Sequence, residues 1–126
     1  LIPGIQGQSE NITAISIVDQ FLEHPRVMLF HNGGEQSLYI SSADWMERNI
    51  DQRVEVACPI YDQELKKRII QTLTLQLKDD KKARIINNVQ DNQYVKFDKP
   101  HNIRSQIAIY EYLAAEEQKD SYSIEE

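Results

Sequence analysis

His24 and Arg26, two positions apart, form the first pair in the sequence whose residue types suit phosphoryl chemistry. They stand at the start of a predicted strand, in which residues i and i+2 point to the same face. A histidine can attack phosphorus or protonate a leaving group, and an arginine offers a planar fork of donors to phosphate oxygens. Taken alone, the pair is more typical of a plain surface, where a histidine happens to lie beside an arginine.

A second polar group, Ser41, Ser42 and Asp44, follows the next predicted strand. Hydroxyl and backbone N–H groups at a strand end can approach an anion, and a carboxylate such as Asp44 can hold a histidine in the required tautomer. The alternative is a helix N-cap, which serine or aspartate forms without any further function. The indole of Trp45 either stacks on an adenine or closes an edge of the core.

Charged residues continue along the next segment, with Arg48 in a polar turn and Arg53 and Glu55 in the run RVEVAC. The alternation of this run predicts a strand, with Arg53 and Glu55 on one face. We expect these two side chains to line a polar cleft, or alternatively to form an exposed ion pair. The opposite, apolar face, which we expect in the core, holds Val54, Val56 and Cys58.

The elements that must position these residues alternate between strands and helices, which predicts an α/β fold with a mixed β-sheet flanked by helices. Predicted strands cover residues 26–31, 37–42 and 53–58, with ARII and QYVKF between 83 and 97. Predicted helices cover 16–23, 63–78 (capped by Asp62) and 103–117, with a turn at Asn32-Gly33-Gly34, a loop at 1–11 and a polar connector at 43–52. We assign residues 1–118 to one domain and 119–126 to a frayed, acidic, polar tail.

Composition narrows the class of function. The net charge of −6 argues against a nucleic-acid binder, which would present a basic face. The single cysteine excludes a disulfide framework within the chain, and three scattered histidines predict no metal ligands. The sequence begins at Leu1 without a basic and apolar leader, so we interpret it as a piece of a longer cytoplasmic protein.

The order of these pieces resembles a phospholipase D half-site, in which His-x-Lys is followed by Gly-Ser-x-Asn. Arg26 stands at the lysine position, and Asp44 stands near the asparagine. The aspartate expected five residues after the lysine is replaced by His31, which disfavours an ordinary phosphodiesterase. The segments FLEH-x-R, NGG, SSADWM-x-RN-x-D and RVEV-x-x-PI strongly resemble the second phospholipase-D-like domain of polyphosphate kinases.

The resemblance implies reversible transfer of the terminal phosphate of ATP to inorganic polyphosphate, with Mg²⁺, through a phosphohistidine formed on a first half-site outside this chain. His24 would then be the catalytic histidine of the second half-site. The substrate-binding candidates are Arg26, Ser42, Asp44, Arg48, Arg53 and Glu55. We expect the chain to be inactive alone, to homo-oligomerise when intact, and to lie in the cytoplasm or peripherally at the inner membrane face. The alternatives are a non-catalytic nucleotide or polyanion-binding module and a phosphodiesterase half.

Overall fold

The computed structural model describes residues 2–122, and in that range the chain forms five strands and three α-helices. The strands are β1 (Ile15–Ile17), β2 (Val27–Phe30), β3 (Ser37–Ser41), β4 (Ala57–Pro59) and β5 (Ala83–Ile85). The helices are α1 (Glu47–Asp51), α2 (Gln63–Leu77) and α3 (Ser105–Tyr122). The predicted α/β class is confirmed, and the described strand pairs are antiparallel and belong to two small sheets.

The fold divides into two compact units, and the chain passes from one to the other after Phe21 and again after Gln71, inside α2. The central unit is Leu22–Gln71, and the terminal unit combines Leu1–Phe21 with Thr72–Glu126. Every candidate site residue predicted from the sequence belongs to the central unit, which is therefore the framework of the site.

The central unit is built on the sheet β2-β3-β4. Its β2 and β3 strands pair with Val27 opposite Ile40, and Leu38 on β3 is almost completely buried. The predicted turn between them is confirmed as a single 3-10 turn at Asn32–Gly34. Gly33 and Gly34 there have φ values of 68° and 108°, a left-handed backbone region that glycine adopts without steric cost. This tight turn sets the register that places the start of β2 beside the end of β3.

In the terminal unit, β1 pairs with β5, and the buried carboxylate of Asp79 binds the first residue of α3. Asp79 accepts hydrogen bonds from the backbone N–H groups of Lys81, Lys82 and Ala83 through Oδ1, and from Ser105 N–H through Oδ2. Asp79 thereby fixes the chain that leads into β5 and satisfies an otherwise unpaired N–H at the beginning of α3.

Several predicted boundaries differ from the structure. The helix predicted at 16–23 is wrong, because Ile15–Ile17 is the strand β1 paired with β5 and residues 18–23 form an irregular segment with no helical turn. The connector at 43–52 contains the short helix α1, and the segment QYVKF contributes only the isolated bridge of Tyr94 with Arg84. Helix α3 begins at Ser105 and continues to Tyr122, into the segment predicted as a tail, while residues 123–126 lie outside the described residues.

The strand predicted at 53–58 is also wrong in extent and in facing. Only Ala57–Pro59 forms strand β4. Val54 is 99% exposed, and Val56 and Cys58 are exposed as well, so none of the three belongs to the core. No helix among residues 2–122 is long and apolar enough to cross a bilayer.

Candidate functional site

The structure brings His24, Arg26 and Asp44 into mutual contact. Arg26 Nε donates a hydrogen bond to Asp44 Oδ1 at 2.6 Å, and Arg26 Nη2 lies 3.2 Å from Asp44 Oδ2. His24 Nε2 lies 3.2 Å from Asp44 Oδ1 and 3.0 Å from Arg26 Nη2. We call these three side chains the His24 cluster. The cluster brings together His24-Pro25-Arg26 and the segment that contains Asp44, which the sequence analysis treated as separate groups.

The antiparallel pairing of β2 with β3 assembles the His24 cluster. Arg26 directly precedes β2, and Asp44 lies just after β3. The backbone N–H of Ser41 donates to the carbonyl of Arg26 at 2.8 Å, which continues the ladder beyond the two strands. Because neighbouring antiparallel strands run in opposite directions, the start of one meets the end of the other. A local feature of the sheet therefore explains why residues 18 positions apart meet.

The charges of the His24 cluster are fixed by its hydrogen bonds. The Arg26 guanidinium, helped by the His24 imidazole and opposed by partial burial, lowers the pKa of Asp44 from 3.8 to about 2. The same hydrogen bond to Asp44 raises the pKa of Arg26. Asp44 is therefore an anion and Arg26 a cation at neutral pH. Because these two side chains are held in their charged forms, the imidazole of His24 is the group of the cluster whose ring nitrogens can donate or accept a proton.

His24 Nε2 has a partner in either protonation state. When protonated, Nε2 can donate to Asp44 Oδ1, and when unprotonated it can accept from Arg26 Nη2. The His24 side chain is also 67% exposed, so a ligand can reach the ring. Such an imidazole can give up a proton to a leaving group and take it back in the reverse reaction.

A second group of hydrogen bonds holds the carboxylate of Glu55. The hydroxyl of Ser42 donates to Glu55 Oε2 and accepts from the backbone N–H of Val56 at 3.0 Å. Asn49 Nδ2 donates to Glu55 Oε1 at 2.7 Å. The hydrogen bond from Ser42, followed by that from Asn49 and by the positive charges of Arg53 and Arg26, lowers the pKa of Glu55. Glu55 is thus held as an anion within electrostatic reach of the His24 cluster.

Asn49 is a residue whose importance the sequence did not reveal. Its side chain is only 4% exposed, although its neighbours in the segment Arg48–Asp51 are polar or exposed. The segment carries no periodic signal that separates Asn49 from a solvated turn residue. Its contact with Glu55 becomes visible only when α1 packs beside the chain leading into β4.

Two predicted site residues, Arg48 and Arg53, are not members of the His24 cluster. The guanidinium of Arg48 contacts Met46 Sδ at 3.9 Å and is not brought to the His24 cluster. Arg53 is exposed and acts on Glu55 through its charge. A role for Arg48 or Arg53 in binding substrate stays a prediction.

A pocket of about 490 Å³ opens beside the His24 cluster. Its lining consists of His24, Pro25, Arg26, Val27, Met28, Ser41, Ala43, Asp44, Trp45 and Ile50. One part of the lining is charged and the other part is apolar. The indole of Trp45 is 92% exposed, so it does not close an edge of the core.

The carboxylates of the site do not fit a resident metal ion. No group of three or more His, Cys, Asp or Glu side chains within residues 2–122 is arranged to hold one. Asp44 is engaged with Arg26 and His24, and Glu55 is engaged with Ser42 and Asn49. Oxygen-rich ligand sets are what Mg²⁺ requires, and these residues do not supply one.

Both the sequence and the fold of this chain match known proteins. The family model described as "Polyphosphate kinase C-terminal domain 2" matches residues 1–106. This chain belongs to the polyphosphate kinase family. The recognition made from the motifs FLEH-x-R and SSADWM-x-RN-x-D is thereby confirmed.

Individual polyphosphate kinases agree with this assignment. The chain is 57% identical over 113 residues to the polyphosphate kinase of Vibrio cholerae serotype O1, covering 90% of the chain and 16% of that protein. It is 48% identical over 120 residues to the polyphosphate kinase of Escherichia coli K12, covering 95% of the chain and 17% of that protein.

A crystal structure of polyphosphate kinase from Porphyromonas gingivalis matches the fold with a TM-score of 0.87 and 43% identity, over 94% of this chain and 18% of that one. The chain therefore spans about a sixth of the length of the polyphosphate kinases that it matches.

Proposed function

We propose that this chain supplies the second of two half-sites in a polyphosphate kinase that reversibly transfers the terminal phosphate of ATP to inorganic polyphosphate. The observation that carries the proposal is the His24 cluster, in which an imidazole, a guanidinium and a carboxylate meet at one pocket. Family membership supports a phosphotransferase over a phosphodiesterase or a non-catalytic binding module.

Arg26 is the group that binds phosphate in this proposal. Asp44 holds two of its nitrogens, Nε and Nη2, whereas Nη1 makes no hydrogen bond with any described residue. The Nη1 edge can therefore donate to phosphate oxygens while Asp44 keeps the guanidinium oriented. Charge-assisted hydrogen bonds of this kind are about twice as strong as neutral ones.

His24 is the group that assists the leaving ADP. A histidine of the other half-site attacks the γ-phosphorus of ATP, and the bond from this phosphorus to the bridging oxygen breaks. His24 Nε2 donates its proton to the departing β-phosphate oxygen. The neutral ring then accepts the hydrogen bond from Arg26 Nη2, which lies 3.0 Å away. In the reverse direction, His24 takes this proton back.

The partners of the site follow from this chemistry. They are ATP or ADP, inorganic polyphosphate, and the half-site that holds the nucleophilic histidine. Because no fitting ligand set is present within residues 2–122, Mg²⁺ would enter as part of the ATP substrate complex and is not assigned to protein ligands. Homo-oligomerisation and a cytoplasmic or peripheral inner-membrane location stay predictions of the family resemblance.

The proposal is tested in a chimeric kinase in which this chain replaces the matching segment of the Vibrio cholerae enzyme. We expect His24→Ala to lower polyphosphate synthesis from ATP by about 10²–10⁴-fold, the usual contribution of general acid catalysis. His31→Ala is the matched control, since His31 is exposed, belongs to the same unit and does not line the pocket. Near-normal rates of His24→Ala in both directions would make His24 a bystander and favour the binding-module alternative.

A further inference from the structure

We propose that Trp45 is the platform on which the nucleotide base stacks while the phosphates reach Arg26 and His24. This inference rests on the proposed function, because it assigns the base of the same ATP. It goes beyond that function by naming the feature that distinguishes a nucleotide from polyphosphate at one pocket.

The exposure of Trp45 is the first observation. The indole is 92% exposed, yet it directly follows Asp44, a member of the His24 cluster. A tryptophan side chain carries one of the largest apolar surfaces in a protein, and such surfaces are favourably covered. Packing against residues 2–122 therefore does not explain the position of this indole, whereas a flat ligand that covers its face would.

The division of the pocket is the second observation. His24, Arg26 and Asp44 line its charged part, and Trp45 and Ile50 contribute exposed apolar surface to the same lining. ATP has the same division, with an anionic triphosphate at one end and a flat aromatic base at the other. The pocket volume of about 490 Å³ lies within the range of about 300–1,000 Å³ that is typical of small-molecule sites.

ATP and polyphosphate differ chemically, and this difference predicts how Trp45 affects the binding of each. Polyphosphate is anionic throughout and has no group that gains from contact with an indole. ATP gains both from the phosphate contacts at Arg26 and from stacking at Trp45. We therefore expect Trp45 to favour the nucleotide over a polyphosphate of equal phosphate number, without contributing to phosphate binding.

The chain contains a single tryptophan, so its intrinsic fluorescence reports on Trp45 alone. In titrations of the 126-residue chain, we expect Mg-ATP to change the tryptophan emission and Mg-tripolyphosphate to leave it unchanged. Calorimetry of the same ligands should show that Trp45→Ala weakens ATP binding by about 5- to 10-fold, the low end of the effect of losing one base–aromatic stack. Tripolyphosphate binding should be unaffected, and Trp45→Phe should restore most of the ATP affinity.

Tyr61→Ala is the matched control, because Tyr61 is an aromatic residue of the same unit, is 81% exposed and does not line this pocket. Circular dichroism verifies that each variant is folded. If ATP and tripolyphosphate bind equally and Trp45→Ala changes neither, the platform is refuted while the proposed phosphate site stands. An equal loss of both ligands in Trp45→Ala would also refute it, since Trp45 would then act on the structure of the site. Binding of neither ligand to the unsubstituted chain would contradict the platform, whereas the proposed function is decided separately by His24→Ala in the chimeric kinase.

Discussion

At the scale of single residues, Asp44 organises the site because its carboxylate contacts both the guanidinium and the imidazole. The sequence left two roles open for Asp44, the partner of a histidine and a helix N-cap, and in the structure Asp44 contacts His24 while Met46 is the N-cap of α1. The clamp on Arg26 was not predictable, because it depends on which end of β3 lies beside the start of β2. That register is set by backbone pairing and the turn at Asn32–Gly34, not by the residue types of the cluster.

The titration of Asp44 gives the first prediction. Its pKa in the folded chain is about 2, below the ordinary 3.8, so the carboxylate contributes stability above pH 3.8 that is lost as the pH falls towards 2. Because Arg26 is the largest cause, Arg26→Lys should move the pKa of Asp44 back towards 3.8. Carbon-detected NMR of the side-chain carboxylates across this pH range measures both values. If Asp44 of the unsubstituted chain already titrated near 3.8, the two hydrogen bonds from Arg26 to its carboxylate would be disproved.

Arg53 and Glu55 give the second prediction. Arg53→Lys in the chimeric kinase should impair ATP or polyphosphate handling, because a lysine cannot reproduce the planar fork of an arginine. Its thermal stability should hardly change, since exposed substitutions usually stay within about 0.5 kcal/mol. Glu55→Gln should reduce the rate less. A larger loss from Glu55→Gln would show that the anion held by Ser42 and Asn49 matters more than the cation beside it.

At the scale of elements, the segment 53–58 shows where an alternating pattern fails. The pattern predicted a strand with Arg53 and Glu55 on one face, but only Ala57–Pro59 forms strand β4, and Glu55 is half-buried whereas Arg53, Val54 and Val56 are exposed. A side-chain period of two assigns faces only within a strand, so it does not apply to residues 53–56. The hydrogen bonds of Glu55 with Ser42 and Asn49 determine which side chain of this segment is covered, and hydrophobicity does not reveal them.

Local signals predicted other elements well. Helix α2 spans Gln63–Leu77, close to the expected 63–78, and Asp62 Oδ1 caps it by accepting from Leu65 N–H at 2.8 Å. The strands at 26–31 and 37–42 were also nearly correct, because a glycine turn separates two β-rich runs. The helix predicted at 16–23 failed because Ile15–Ile17 pairs with Ala83–Ile85, and no local pattern encodes a partner so distant in sequence.

Asp79 gives a prediction about how elements are joined. Asp79→Ala should lower the free energy of unfolding by about 3 kcal/mol or more, since hydrogen bonds to a charged group contribute about 1.5–3 kcal/mol each. The substitution leaves the N–H groups that Asp79 satisfied, including that of Ser105 at the start of α3, without their acceptor. Urea unfolding followed by circular dichroism measures the change. The control is Asp98→Ala, at an exposed position of the same unit, and equal effects of the two substitutions would refute the anchoring role.

At the scale of the whole molecule, the predicted site residues fall into the central unit, Leu22–Gln71, while the terminal unit contributes none of them. Membership in the polyphosphate kinase family was predictable because the motifs from FLEH-x-R to RVEV-x-x-PI follow one another within this same unit, apart from Phe21 at its boundary. The chain spans about a sixth of its relatives, and under the proposed half-site assignment the complete reaction requires the whole kinase. We expect the 126-residue chain alone to make no polyphosphate from Mg-ATP.

The most direct test of the half-site assignment is to locate the phosphohistidine in the chimeric kinase. After brief incubation with Mg-ATP, the protein is digested under alkaline conditions, which preserve phosphohistidine, and the peptides are analysed by mass spectrometry. The assignment predicts phosphate on a histidine outside the replaced segment, an unmodified His24, and no phosphohistidine on the 126-residue chain treated alone. Phosphate on His24 in either sample would contradict the assignment, because His24 would then be the nucleophile and not the group that assists the leaving ADP.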